Sequence, residues 1–452
     1  MTLERLRIDE LANAWVGDRN TPFQLGLLGV FDAGPWARPD GTVDVEGLRH
    51  ELALRARGLN VLNRRVLWTR PWQGRPVWVR DPHFDAAQHV LVSTLPAGED
   101  LATWAANRCV RPLPLDRPLW RPEVIGGLPA GRYAVLIVVH HILADGLAGV
   151  RLVGSLLDPT PDAPHPDQDP VTGPPTPSPR ALVRDWLHAG VRPRVRAPSA
   201  TEAPAGSARQ PIAGLRQAWE GFRVPLPATS LPRRVGPRRV MTVATQDLET
   251  ARRTGHALGV TINDLVLAVV TDGMRGLLAA RGDDLDGIFL RATVPVATSA
   301  TGQAMGMIVV DLPVGESDPL RRLAEISTAT SERKARLRAS GGAVTDILHV
   351  PLPVAWAVVR WGRRVGSRRV NLSVSDLPGP STPLWLAGSR MLQVVPVAPL
   401  VPLVPISVAA LSYAGTLTIT VNADAALGEL EVLGEAMRGS LVGYARLSSH
   451  ST

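Results

Sequence analysis

Between Asp158 and Pro179 the chain carries nine prolines among aspartate, threonine and glycine, without periodicity. Proline has a fixed φ and no backbone donor, so this stretch forms neither a helix nor a central strand and reads as an exposed linker. Loop continues in patches to Pro237, interrupted by short helical runs at residues 181–191 and 212–222. At 452 residues the chain is long enough for two full cores. The expected organisation is a first unit over residues 1–158, a linker over 159–238 and a second unit over 239–452.

Both units mix strands and helices. Residues 134–139 are a short, uncharged, β-branched run, the mark of a buried strand. Apolar residues at helical spacing follow from Leu147 to Leu157. In the second unit, strand candidates lie at residues 239–244, 289–294, 307–312, 369–374 and 417–421. Between them Ile262, Leu265, Val266, Val269, Val270, Leu277 and Leu278 make one stripe of a helix over residues 261–281. The mixture predicts an α/β fold.

The strand at 134–139 runs straight into His140-His141-Ile142-Leu143-Ala144-Asp145-Gly146. A turn between strand and helix is where a rigid scaffold offers a side chain to a cleft, and imidazole is the side chain best suited to take and return a proton near neutral pH. His141 is the candidate general base, with a buried core histidine as the structural alternative.

Composition removes several classes. The formal charge is +8, but Lys334 is the only lysine and the arginines are dispersed. With aromatics at 4%, neither a phosphate-binding stripe nor a base-stacking platform is implied, so no nucleic-acid partner is expected. No CxxC pair, HExxH or Walker-type loop occurs, and no metal or nucleoside triphosphate is expected. The single Cys109 allows no internal disulfide and reads as a buried thiol. The first ten residues alternate charge with apolar side chains, unlike a signal peptide. Residues 391–411 have the length of a membrane span, but Pro396, Pro399, Pro402 and Pro405 would break such a helix, so an extended buried segment is expected.

HHxxxDG is the signature of the CoA-dependent acyltransferase superfamily, which includes chloramphenicol acetyltransferase and condensation domains. Pro114-Leu115-Asp116-Arg117-Pro118-Leu119-Trp120 resembles the PLDRPLW segment of the bacterial wax ester synthase/acyl-CoA:diacylglycerol acyltransferase family. Asn263-Asp264 resembles that family's ND motif, and Ser375-Asp376-Leu377-Pro378-Gly379-Pro380 its SNVPGP motif. The segment Ile406 to Asp424 is similar to its C-terminal pattern, and the likeness begins at Asn20-Thr21-Pro22-Phe23-Gln24-Leu25-Gly26. Three positions depart from it: Ser299 lies where an arginine is usual, Met307 replaces an asparagine, and Asp376 replaces the asparagine of SNVPGP.

The resemblance implies two chloramphenicol-acetyltransferase-like lobes forming a V around a tunnel. It also implies an O-acyltransferase that uses acyl-CoA as co-substrate, holds no permanent cofactor and makes triacylglycerol or wax ester. The second histidine of the motif is the family's base, which assigns that role to His141 and a supporting one to His140. Asp145 either orients His141 as a triad aspartate would or, as the superfamily favours, braces the turn through an arginine. Gly146 permits a backbone approach that a Cβ would block, and its amide opens a helix, a natural donor to an oxyanion. Asn263 and Asp264 either shape the acceptor site or cap the helix that Thr261 begins. Ser375 and Asp376 are further candidates for shaping the substrate site, and Trp120 either packs a turn at the edge of the first unit or contacts substrate.

Two other readings follow from the departures and the fold. One is a tailoring acyltransferase or condensation-type enzyme acting on a specialised metabolite. The other is a non-catalytic lipid-binding protein on the same fold, for which an intact histidine motif is unneeded. A cytoplasmic protein is expected, peripheral at a membrane or lipid droplet. Trp356, Trp361 and the arginines 360, 363, 364, 368 and 369 combine interfacial aromatics with positive charge, as a surface helix does, although a helix packed on its own lobe fits them too.

Overall fold

The computed structural model describes residues 3–144, 146–164, 176–191, 224–232, 234–297, 305–339, 356–357, 359–362 and 367–449. Fourteen strands are present among them: β1 Gln24–Asp32, β2 Arg64–Leu67, β3 Val77–Arg80, β4 Leu91–Thr94, β5 Trp120–Leu128, β6 Arg132–His140 and β7 Arg239–Asp247 in the first stretch of chain. Then come β8 Leu290–Ala297, β9 Met305–Leu312, β10 Leu372–Leu377, β11 Trp385–Leu386, β12 Ser389–Val397, β13 Ile406–Tyr413 and β14 Thr416–Asp424. They build two six-stranded sheets, ordered β11-β12-β1-β6-β5-β4 and β7-β14-β13-β10-β8-β9, and β2 pairs only with β3. The fold is α/β in two lobes, as expected.

Strand β6 shows why the apolar run is continuous. Ala134, Leu136 and Val138 face the helix Leu101–Cys109, whereas Val135, Ile137 and Val139 face the helix Val45–Arg57. A strand covered by helices on both faces has no solvent side and so no alternation. In the second lobe the helices Ile262–Ala280 and Leu430–Ser449 bury Leu265, Val269, Leu433 and Met437 against β10, β13 and β14. The predicted stripe is the buried face of the first of these.

The sheets do not divide the chain in sequence order. Strand β12 pairs antiparallel with β1, from Gly26↔Val397 to Phe31↔Met391, so a strand of the second half belongs to the first sheet. Assigning residues 239–452 wholesale to one lobe is corrected here, because strand pairing across more than 350 residues leaves no local trace. Tyr413 locks the crossover: its hydroxyl donates to the Met391 carbonyl at 3.0 Å and accepts from the Leu384 amide at 2.8 Å. Asp158 closes the other side, exchanging backbone bonds of 2.7 and 2.9 Å with Trp385 and pairing with buried Arg55 at 2.6 Å.

Residues 391–397 and 406–411 lie in the largely buried strands β12 and β13, with a turn at Pro402 and Leu403 between them, and no described helix is long and apolar enough by itself to cross a membrane. Cys109 is fully enclosed; burial pushes its thiol up to about 12, which leaves it unreactive near neutral pH. The expected loop and helical run at residues 165–175 and 192–223 lie outside the described residues.

Candidate active site

His140 is the last residue of β6, and the turn after it is held from three sides. The His140 amide donates to the Leu119 carbonyl at 2.9 Å, and the Leu143 amide donates to the His140 carbonyl at 2.8 Å. The Ile142 amide donates to Nδ1 of His140 at 3.2 Å, which makes Nδ1 an acceptor and puts the ring proton on Nε2. Burial, with the neighbouring His141, depresses His140 to about 4, so the ring is neutral at physiological pH.

His141 is half-buried. Its amide donates to the Phe23 carbonyl at 3.0 Å, and its carbonyl accepts from Nδ2 of Asn13, on the helix Ile8–Val16, at 3.0 Å. Its ring stacks on that of Phe23, with centroids 4.4 Å apart and planes inclined by 15°. Phe23 precedes Gln24, which pairs with His140 across β1 and β6. Gln24 is itself anchored, donating to the carbonyls of Cys109 and Arg111 and accepting from the Leu113 amide. The segment around Phe23 carried the family likeness in sequence, but nothing there identified Phe23 or Asn13 as neighbours of the histidine.

Asp145 lies outside the described residues. Gly146 begins the helix Gly146–Gly154, and a Cβ there would come within 2.8 Å of Cδ1 of Leu377. The glycine is thus a point of contact between lobes, since Leu377 ends β10 and follows Ser375 and Asp376. The histidine turn and the Ser375–Pro380 motif are brought together. That motif hangs on β13: Gly379 approaches the Ser412 carbonyl too closely for any Cβ, and its amide donates to Ser412 Oγ at 3.2 Å.

The Asp376 side chain is half-buried and has no hydrogen bond or ion pair among the described residues. Burial raises its carboxyl to about 6, and Lys334 is the charge that opposes the rise. Ser375 stands beside Ala409 in the parallel β10–β13 register.

Asp264 is engaged in structure. It closes a capping box with Thr261, accepting from the Thr261 amide at 3.1 Å and hydroxyl at 2.7 Å, and takes a third bond of 2.6 Å from Thr330. Thr330 and Lys334 lie one turn apart on the helix Pro319–Ala339, so one helix touches Asp264 and sets the field at Asp376. Nδ2 of Asn263 is buried without a partner among the described residues. Trp120 is fully enclosed, its indole donating to the Leu62 carbonyl at 2.9 Å beside Phe84 and His89. It is a core residue of the first lobe; the expectation that it lines a substrate site is corrected, because no edge of the ring is open. Met307 is 56% exposed on β9, and Ser299 lies outside the described residues. Among the described residues no three His, Cys, Asp or Glu side chains converge as metal ligands.

Comparison with known proteins identifies the family. A model of the wax ester synthase/diacylglycerol acyltransferase catalytic domain matches residues 8–266, and one of that family's C-terminal domain matches residues 301–443. A probable diacylglycerol O-acyltransferase of Mycobacterium tuberculosis is 32% identical over 420 residues, which is 90% of this chain and 88% of that protein. The solved wax ester synthase/diacylglycerol acyltransferase of Marinobacter aquaeolei superposes with a TM-score of 0.71 at 21% identity, covering 99% of this chain and all of that one. The starter condensation domain of rhizomide synthetase, solved with C8-CoA, shares the fold at a TM-score of 0.55 and 14% identity, over 100% of this chain and 96% of that one. The fold is the two-lobed one shared with these structures, and the family match makes the chain an acyltransferase. The chain belongs to the wax ester synthase/diacylglycerol acyltransferase family.

Proposed function

We propose that the chain transfers a fatty acyl group from acyl-CoA to the hydroxyl of diacylglycerol or a long-chain alcohol, with His141 as general base. The alcohol oxygen attacks the thioester carbonyl as the imidazole takes its proton; the C–S bond then breaks, and the proton passes to the departing thiolate. The observation that carries the reading is the immobilised His141, held at amide, carbonyl and ring by Phe23 and Asn13 at the end of a buried strand. His140, neutral and bonded to Ile142, braces the turn. Gly146 lets the second lobe close against the start of its helix, whose amides suit a developing oxyanion. The purified chain with palmitoyl-CoA and a panel of alcohols, followed by thiol release, tests this; thiol release that no alcohol stimulates would refute it.

A second reading is favoured by Asp376, a carboxyl without a described partner where the family carries asparagine. It suits an acceptor with an extra hydrogen-bond donor, as on a specialised metabolite. An acceptor panel that ranks polyhydroxylated or amino alcohols above plain fatty alcohols would support it. For location, Trp356 and Trp361 are 45% and 51% exposed, with Arg360 over the Trp356 ring, which fits a helix resting on an anionic lipid surface. Arg363 and Arg364 lie outside the described residues. Flotation with anionic vesicles at low and high salt tests that contact, and its absence at low salt would refute it.

A further inference from the structure

Where the helix Leu101–Cys109 packs on the first sheet, it meets the start of β7. Asn107 ties the two lobes together there, donating to the Arg239 carbonyl and accepting from the Arg239 amide, each at 2.8 Å. A cavity of about 460 Å³ opens at this junction, lined by Trp104, Arg108 and Arg111 from the first lobe and Arg238 and Arg239 from the second. Glu99, the one lining carboxylate among the described residues, is exposed.

The four guanidinium groups differ. Arg239 is buried and structural, donating to the carbonyls of Gly236, Arg238 and Asn20 and lying 3.6 Å from Asp424. Arg108 pairs with Glu123 at 2.9 Å and lies 4.4 Å above the Trp104 ring; its Nε is buried without a hydrogen-bond partner among the described residues. Arg111 and Arg238 are exposed and have neither hydrogen bond nor carboxylate partner for their side chains among the described residues. Behind them Arg121 adds another positive charge, donating to the carbonyls of Arg108 and Arg111. Single solvated arginines are ordinary on a protein surface. Here two unneutralised ones flank a stacked Arg–Trp pair inside one concavity.

We propose that this cavity binds the phosphorylated end of an adenine nucleotide, with Arg111 and Arg238 on phosphate oxygens and the Trp104–Arg108 pair against the base. The volume falls in the range of small-molecule sites. The planar guanidinium fork matches phosphate geometry, and an aromatic ring carrying an arginine offers a flat stacking surface. The cavity also lies near the histidine turn, because the Arg111 carbonyl accepts from Gln24, the cross-strand partner of His140. The same chemistry is presented by the nucleotide end of an acyl-CoA donor and by a free nucleotide. Assigning it to the donor rests on the proposed function; the binding itself does not.

Calorimetric titration of the purified chain with adenosine 3′,5′-bisphosphate, beside inorganic phosphate, reads the binding without turnover. Arg111→Gln/Arg238→Gln should bind the bisphosphate roughly a hundredfold more weakly at unchanged melting temperature, since each charge-assisted contact contributes about tenfold. Kinetics identifies the source. If the bisphosphate competes with palmitoyl-CoA, and the variant raises KM for palmitoyl-CoA but not for palmitoyl-pantetheine, the ligand is the donor. If it binds without competing, the ligand is a free nucleotide. Absence of binding to the wild type, equal binding by the variant, or equal affinity for inorganic phosphate would each overturn the proposal.

Discussion

Phe23 and His141 stack face to face, 4.4 Å between centroids, and the backbone of the first accepts a hydrogen bond from the backbone of the second. The ring of the proposed base is therefore aimed by a residue 118 positions earlier in the chain. Phe23→Ala removes the plate against which the imidazole rests and leaves the backbone bond. It should lower kcat by roughly 10- to 100-fold, the usual consequence of a misplaced catalytic group, with a much smaller change in melting temperature. Phe23→Tyr should retain most of the rate. Steady-state kinetics with thermal melting decides; an alanine variant at full rate means that the stack does not orient His141.

His141→Ala itself should reduce acyl transfer by about 100- to 10,000-fold with the fold retained. Thiol release under conditions where chemistry limits the rate is the measurement. A variant above roughly a tenth of the wild-type rate is incompatible with a general base at this position.

Gly146→Ala brings a methyl group within 2.8 Å of Leu377 Cδ1, so the leucine must turn away or the lobes must part slightly. The expected cost is about 1 kcal/mol of stability, measured by denaturant unfolding. Gly146→Ala/Leu377→Ala should cost less than the sum of the two single variants, as contacting residues do. Strict additivity would show that the two lobes do not press on each other here.

Asp264→Ala loses the cap of its helix and the bond from Thr330 together, and should cost about 2–4 kcal/mol. Thr330→Val removes one of these bonds and should cost about 1 kcal/mol. A variant that melts like the wild type but loses acyl transfer would instead make Asp264 a site-shaping residue.

Asp376 gives stability a pH dependence of known sign. Its carboxyl titrates at about 6 in the fold against 3.8 in an open chain, so between these values the folded state holds the extra proton. Stability from this group is present below pH 3.8 and is lost as pH rises through 6. Asp376→Asn should therefore be more stable than the wild type at pH 8, by on the order of 1–3 kcal/mol, and no more stable at pH 3.5. His140, depressed to about 4, contributes the opposite slope between 6.5 and 4, so the two proteins must be compared at equal pH. Equal gains at both pH values would mean that the carboxyl is not penalised by burial.

The parts of this molecule legible in sequence are those governed by neighbours along the chain. Strand β6 followed from an apolar run, the helix Ile262–Ala280 from its stripe, and the cap at Asp264 from the spacing of Thr-x-x-Asp. The turn at His140 and His141 stood out because strand, histidines and helix are contiguous. Phe23, Asn13 and Leu377 reach that turn only through pairing in space, and single residues carry no mark of such a partner. Trp120 misled for the same reason: its motif located it in the chain, not on which side of the sheet its ring lies. The unpartnered state of Asp376 depends on the helix Pro319–Ala339 presenting Lys334 at a distance, which composition cannot express.

The insertion of β12 beside β1 also sets an order of events during synthesis. The first half of the chain leaves the ribosome with most of its sheet available for pairing, but without the strand that covers one edge of β1. That edge, Gln24–Asp32, is nine residues long and mostly apolar, the kind of open ladder that recruits strands from other molecules. It stays open until Val397 emerges, 365 residues after Asp32. The nascent protein must be kept from self-association through that interval, and any truncation between Asp158 and Ser389 makes the interval permanent.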